Sequence, residues 1–317
     1  MEIIPSPYLW PSADGARATV PVPATQLPSP AEMLPMELRW QATWGAPGDG
    51  PGEFVEPRDV AVIDNVVFVA DTGNRRVQAW DRDGTYRQAW AGGQEPFEEP
   101  LALAGDPQGR LLVLDSLQGW IYRFDREGNA LDRIAGPGVP TFHPRGMTAL
   151  PDGAVVVADT GGARLAILDA AGNIVGDLGT LGDAPGQFHE PTDVAIDQAG
   201  TYYVAEAHNQ RLQRVDRRGG SLGTWDMPPS IAHDGPHLAW APDSSLLVTA
   251  PGEGAILRYA PDGRLLDRWT QAGAATMQQP VGIYADAVGT LYVTDTGTHQ
   301  VYVFEMVQPS APEGEED

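Results

Sequence analysis

The sequence predicts an all-β fold: a six-bladed β-propeller of four-stranded antiparallel blades, with the last blade completed by an N-terminal strand. Three observations carry that expectation. A segment recurs six times, starting at Pro57, Pro100, Pro144, Pro191, Pro236 and Pro280, with steps of 43, 44, 47, 45 and 44 residues. A fixed period of this length marks one supersecondary unit used repeatedly. Each copy breaks into short runs of β-branched and aromatic residues separated by turn residues. Gly (37) and Pro (29) are abundant but fall at regular intervals, as punctuation between strands.

The chain opens on residues 1–36, where Pro5, Pro7, Pro11, Pro21, Pro23, Pro28, Pro30 and Pro35 disfavour helices and central strands and favour extended, semi-rigid conformations. This stretch is expected to be a linker or a strap on the domain surface. It has no basic n-region or apolar h-region, so it does not read as a signal peptide. Residues 37–307 form the propeller, and residues 308–317, acidic and rich in small residues, read as a flexible tail.

Within the first repeat, DVAVID (Asp59 to Asp64), VVFVAD (Val66 to Asp71), RVQAWD (Arg76 to Asp81) and TYRQAW (Thr85 to Trp90) are four strands. Four antiparallel strands per repeat make one propeller blade. The turn between the third and fourth strands carries Gly84, Gly128, Gly172, Gly219 and Gly263 in successive repeats, where a tight hairpin needs positive φ. Five repeats have a fourth strand after that glycine, and the sixth, ending near Val303 and Phe304, has none. LRWQATWG, Leu38 to Gly45, supplies the missing strand from ahead of the first repeat. Its alternation of Leu38, Trp40, Ala42 and Trp44 has the period of a half-buried strand with one apolar face.

Charge and composition bound the function. There are 43 acidic residues against 20 basic ones, a net charge of -23, and all the basic residues are Arg. Such a field repels phosphate backbones and anionic membranes, so nucleic acid is not an expected partner. No stretch has the roughly 18 apolar residues a membrane-spanning helix needs, so no direct membrane insertion is expected. Without cysteine, disulfides, thiolate metal sites and cysteine nucleophiles are excluded.

VADTGNRRVQAWDRDG, preceded by PGEFVEPRDVAV, resembles the NHL-repeat family, and so does DAPGQFHEPTDVAIDQAGTYYVAEAHNQRLQRVDRRG. The resemblance covers about residues 46–305, and 38–45 through the shared last blade. Repeats one, three, four and six match well. In repeats two and five, DSLQG and APGEG replace DTGN. The resemblance implies a six-bladed propeller. It does not imply one activity, because fold is not function: the family includes sensor domains, RNA- and protein-binding scaffolds and a few enzymes, among them a zinc-dependent lyase of peptide amidation.

Candidate site residues follow from blade geometry. The residue after each repeat proline starts the innermost strand beside the central channel: Arg58, Leu101, Arg145, Thr192, His237 and Val281. The next in each repeat are Asp59, Ala102, Gly146, Asp193, Leu238 and Gly282. Second strands end in Asp71, Asp115, Asp159, Glu206 and Asp295, with Ala250 in the fifth repeat. The recurring Asp residues read as acceptors for backbone N–H groups of their own turns. Function is expected where the copies disagree, giving Arg58, Arg145, Thr192, Asp193, Glu206, His208 and His237 as ligand-binding candidates. Arg58 and Arg145 have the chemistry to clamp a carboxylate or phosphate, against the alternative of an ion pair with a neighbouring acid.

The zinc site of the lyase branch does not carry over. That branch places histidines at several inner-strand starts, whereas here only His237 holds such a position; His143, His189, His208, His233 and His299 fall elsewhere. Three converging histidines on an open zinc site are not assembled. A Ca²⁺ site of carboxylates and Asn, as in gluconolactonase-like propellers, stays open, but no spacing selects its ligands, and no cofactor is expected. No GxSxG motif supports Ser-His-Asp catalysis. The sequence therefore reads as a non-catalytic propeller that recognises a protein, peptide or glycan through its channel face. It is expected to be a monomeric domain or a module of a larger, envelope-associated bacterial assembly. The alternative is a metal-dependent hydrolase or lyase, lactonase-like or amidation-lyase-like, with its site in the channel.

Overall fold

A computed structural model describes residues 33–135, 141–228 and 235–309. The Pro-rich stretch up to residue 32, the tail from residue 310 and His233 lie outside the described residues. Among the described residues, six four-stranded antiparallel sheets follow one another around a ring. Their innermost strands are Pro57–Ile63, Pro100–Gly105, Gly146–Ala149, Pro191–Ile196, Leu238–Trp240 and Pro280–Ala285. These define blades 1 to 6. The second and third strands of blade 1, Val66–Asp71 and Arg76–Asp81, span the expected residues, and its outer strand is Tyr86–Trp90.

The ring closes as the strand count requires. Glu37–Trp44 pairs antiparallel with Gln300–Val307 as the outer strand of blade 6, from Glu37 opposite Val307 to Trp44 opposite Val301. The single apolar face expected for this strand is corrected by a register shift between Trp40 and Ala42. The extra residue, Gln41, is a bulge that reverses the side-chain alternation. Leu38 consequently packs with Met306, Phe304 and blade 5, while Trp44 packs with Val301, Val303 and blade 1. One strand thereby serves two inter-blade cores, and Trp40 between them is left 38% exposed. Just ahead of this strand, Met36 and Leu34 are held against blade 5. The Met36 N–H donates to Asp267 (3.3 Å), Trp269 Nε1 donates to the Met36 carbonyl (3.3 Å), and Arg258 donates to the Leu34 carbonyl (3.0 Å). Arg258 is buried and ion-paired with Asp243 and Asp267, so its desolvated charge is compensated on both sides.

The hydrophobic core is divided among six interfaces, one between each pair of neighbouring blades. Apolar residues on both faces of the middle strands supply it, which is why VVFVAD, LLVLD and VVVAD are buried throughout. At the closure, Trp44 stacks on Trp80 of blade 1 with centroids 5.9 Å apart and meets Tyr292 at 5.6 Å. A short hairpin, Gln271–Ala272 with Ala275–Thr276, contributes Ala272 and Ala275 to the core between blades 5 and 6. The repeat pattern did not indicate it. No helix among the described residues is long and apolar enough to cross a membrane.

Candidate functional site at the channel mouth

The acids that end the second strands are structural. Asp71, Asp115, Asp159, Glu206 and Asp295 are all fully buried. Each accepts a backbone N–H from the segment leading into its own blade: Val55 (2.8 Å), Glu98 (2.7 Å), Phe142 (2.6 Å), His189 (2.8 Å) and Gln278 (2.7 Å). Asp115, Asp159 and Asp295 also accept N–H groups of the turns that follow them. Glu206, expected to differ because it breaks the Asp pattern, does the same work with one more methylene. Its carboxylate is held by Asn209 (2.7 Å), Arg211 (2.7 Å) and Gln213 (2.7 Å). Asp71 is held in the same way by Asn74, Arg76 and Gln78. Glu206 therefore has no face for a ligand.

One step inward, the second residues of the inner strands form a collar that repeats after three blades: Asp59, Ala102, Gly146, then Asp193, Leu238, Gly282. The physical reason is visible in the contacts. Asp59 accepts the N–H of Leu103 on blade 2 (2.7 Å), and Asp193 accepts the N–H of Leu238 on blade 5 (2.8 Å). On the other side, a Cβ on Gly146 would collide with Asp193, and one on Gly282 would sit 2.5 Å from the Arg58 carbonyl and the Asp59 backbone. Asp reaches forward to the next blade, and Gly lets the preceding blade approach. Burial raises both carboxyl pKa values, Asp193 to about 7, and Asp59 is raised further by the charge of Asp193.

The collar lines a central channel cavity of ≈ 310 Å³, which continues along the inner strands of all six blades past Met147, Ala195 and Trp240. His237, one residue ahead of the collar's Leu238, also lines this cavity, 3.7 Å through Nδ1 from Asp193, with its backbone N–H donated to Thr249 (2.8 Å). Burial, and then the positive charges of Arg58 and Arg145, push its pKa down to about 4, which keeps the imidazole neutral.

Outside the collar lies a second, larger cavity of ≈ 560 Å³. It is a groove over blades 1 to 3, walled by Arg58 and Arg145 and floored by Leu101 between them. Arg58 meets Glu56 at 3.3 Å, the neighbouring-acid pairing weighed from the sequence. Sequence reasoning passed over several lining residues: Glu99, Leu117, His143 and Glu190. Leu117 was traceable, since it comes from the degenerate DSLQG turn and stands 54% exposed. A second feature was not traceable. Glu56, His143 and Glu190, each directly ahead of a repeat proline, adopt φ of 48°, 48° and 54°. The left-handed region is uncommon for such residues, and strained backbone of this kind concentrates at ligand sites.

The remaining candidates do not join this groove. Thr192 is fully buried, its hydroxyl donating to the Pro236 carbonyl of the next blade (3.0 Å). His208 is exposed and stacks on His189 with centroids 3.6 Å apart, outside both cavities. The seven candidates thus divide: Arg58 and Arg145 in the groove, Asp193 and His237 on the channel cavity, Glu206 and Thr192 in the scaffold, and His208 on the surface. Among the described residues, no three His, Asp or Glu side chains converge to hold a metal ion.

A ring of four-stranded blades around a channel, with its variable residues at one mouth, defines a six-bladed β-propeller. The family model described as NHL repeat matches residues 188–215, the core of blade 4. A curated mouse (Mus musculus) protein, NHL repeat-containing protein 3, is 28% identical over 133 residues, covering 40% of this chain and 36% of that protein's length. Together they show a six-bladed propeller that carries an NHL-repeat match in blade 4 and is similar to an NHL repeat-containing protein. Three solved structures show the same fold at low identity. Virginiamycin B lyase from Staphylococcus aureus has a TM-score of 0.60 at 15% identity, over 86% of this chain and 100% of that one. The WD40 propeller domain of Doa1 has 0.56 at 12%, over 84% and 97%. A Bacteroides thetaiotaomicron protein of unknown function has 0.64 at 12%, over 84% and 76%. The neighbours include a lyase and a WD40 propeller, so shared fold does not separate catalysis from binding.

Proposed function

We propose that this propeller is a binding module that recognises a protein or peptide ligand through the groove over blades 1 to 3. The observation that carries the reading is the asymmetry of the mouth. The first inner-strand residues are Arg58, Leu101 and Arg145 over one half, opening a cavity of ≈ 560 Å³. Over the other half they are Thr192, His237 and Val281, none of which lines that cavity. The groove has the size of a ligand site and combines an apolar floor with a few charged groups that fix orientation. Its lining has no Trp, Tyr or Phe side chain on which a sugar ring would stack, which favours a peptide over a glycan. A thermal-shift screen of peptide and glycan libraries, with every hit repeated on Leu117→Trp, tests this reading. Hits should be peptides and should vanish when the indole fills the groove. Hits that persist in Leu117→Trp would move the site elsewhere.

A second reading, a hydrolase or lyase, is favoured by one observation. The imidazole of His237, neutral and so able to accept a proton, lines the channel cavity 3.7 Å from Asp193. Turnover of lactone or peptidyl substrates, with and without added divalent metal, that is lost in His237→Asn would support it over binding alone.

A further inference from the structure

The groove carries charges of both signs, and the two signs are engaged differently. We propose, resting on the binding reading above, that the ligand is a protein segment presenting a basic side chain next to an apolar one. The apolar group covers Leu117 and Phe142 at the groove's edge, and the cation meets Glu99 and Glu190.

The apolar part arises from two departures from the repeat. Counting from the acid or alanine that ends the second strand, the third residue is Gly73, Gly161, Gly252 and Gly297 in four blades but Leu117 in blade 2. Leu117 lines the groove and stands 54% exposed. The residue two places ahead of the repeat proline packs over that same turn position, as Val55 does on Gly73, His189 on His208 and Gln278 on Gly297. In blade 3 it is Phe142, whose ring lies on Gly161 and 4.6 Å from the His143 ring, both of them groove residues. Phe142 stands 63% exposed. Two large apolar side chains from neighbouring blades therefore border one cavity of ≈ 560 Å³, an arrangement that marks an interaction surface.

Charge selects what covers them. Arg58 and Arg145 already hold interactions within the protein, so their charges are met. Among the described residues, the carboxylates of Glu99 and Glu190 in the same lining make no hydrogen bond or ion pair. A purely apolar partner laid over Leu117 would take these carboxylates out of water without compensation, which is costly. An acidic partner would add like charge to them and to a chain of net charge -23. A basic side chain beside the apolar one pairs the carboxylates and gains from that field, so charge sets both the register and the choice of partner.

Dye-labelled tetrapeptide amides ending in Leu-Arg, Leu-Gln or Leu-Glu, titrated into the full chain by fluorescence anisotropy, test this. Leu-Arg should bind at least about fivefold more tightly than Leu-Gln, and Leu-Glu more weakly than either. Raising salt to about 0.5 M should narrow the first gap. In Glu99→Gln/Glu190→Gln the gap should close to within about twofold. In Phe142→Ala, where an exposed ring is lost, all three forms should weaken together by at least about threefold. Equal binding of Leu-Arg and Leu-Gln, abolished by Leu117→Trp, would overturn the charge assignment while leaving the groove as the site. Tightest binding of Leu-Glu would overturn it outright. Leu-Arg bound unchanged by both Leu117→Trp and Glu99→Gln/Glu190→Gln would overturn the groove as well. Absence of binding by every form up to millimolar concentration would overturn the basic-apolar assignment, while a peptide from the thermal-shift screen that Leu117→Trp displaces would still uphold the groove.

Discussion

The two halves of the ring, blades 1 to 3 and blades 4 to 6, agree in the collar and disagree in the mouth. The collar reads Asp, Ala, Gly and then Asp, Leu, Gly, and in both halves the Asp accepts the next blade's inner-strand N–H. One residue earlier the halves part. Arg58, Leu101 and Arg145 line a groove, whereas Thr192, His237 and Val281 do not. A repeat is constrained wherever blades must meet and is free where they need not. What the halves share is therefore architecture, and what separates them is available for recognition.

The largest effect expected lies in the ring closure, which belongs to the second half. Removing residues 1–44 strips Leu38 and Trp44 from two inter-blade cores, at about 1.5–3 kcal/mol each. It also leaves Gln300–Val307 as an unpaired edge. The combined loss approaches the whole stability of a domain, about 5–15 kcal/mol. Circular dichroism should show a chain that is unfolded or aggregated at 37 °C; a cooperative melt near that of the parent would break the closure assignment.

Next come the collar glycines, which should behave alike in the two halves. Gly146→Ala and Gly282→Ala both drive a methyl group into the neighbouring blade, at about 1–3 kcal/mol each. Urea titrations should place the two variants within about 1 kcal/mol of each other. A large cost in one half and none in the other would show that the shared collar is not a shared device.

A smaller effect distinguishes Asp193 from His237 by sign. Asp193 titrates near 7, above its ordinary 3.8, so its protonated form favours folding at low pH and that stability is lost as pH rises through 7. His237 titrates near 4, below its ordinary 6.5, so its neutral form favours folding at higher pH and that stability is lost as pH falls through 4. Over the shared interval, about pH 4 to 6.5, the two contributions oppose each other. Relative to the parent, Asp193→Asn should therefore shift the slope of stability against pH upward, and His237→Asn should shift it downward. Denaturation midpoints at pH 4.5, 5.5 and 6.5 measure both, and slope changes of the same sign in the two variants would contradict the assignment.

The features legible in the sequence are those that recur. Counting fourth strands was enough to pair Leu38 to Trp44 with the end of the chain, because a blade short of a strand leaves an unsatisfied edge. The bulge at Gln41 was not legible, since it depends on the register with Gln300–Val307 and not on the strand's own alternation. Glu206 was misread for a related reason. A longer acid looks like a broken pattern, yet Asn209, Arg211 and Gln213 hold it as Asn74, Arg76 and Gln78 hold Asp71. Arg58 and Arg145 could be placed at the mouth from the repeat alone. The left-handed backbone of Glu56, His143 and Glu190 could not, because a residue ahead of proline is normally extended.

On the binding reading proposed above, the first half's mouth residues serve recognition while their counterparts in the second half hold the ring. The most direct measurement is a pair of thermal melts, Arg58→Ala/Arg145→Ala against Thr192→Ala/His237→Ala. The arginine pair should melt within about 3 °C of the parent, at about 2–4 °C per kcal/mol for a domain of this order. The second pair loses a buried hydrogen bond to Pro236 and a buried imidazole, about 1–3 kcal/mol each, and should melt at least about 4 °C lower. An arginine pair that melts as low as the Thr192 and His237 pair would make both halves scaffold and contradict the claim.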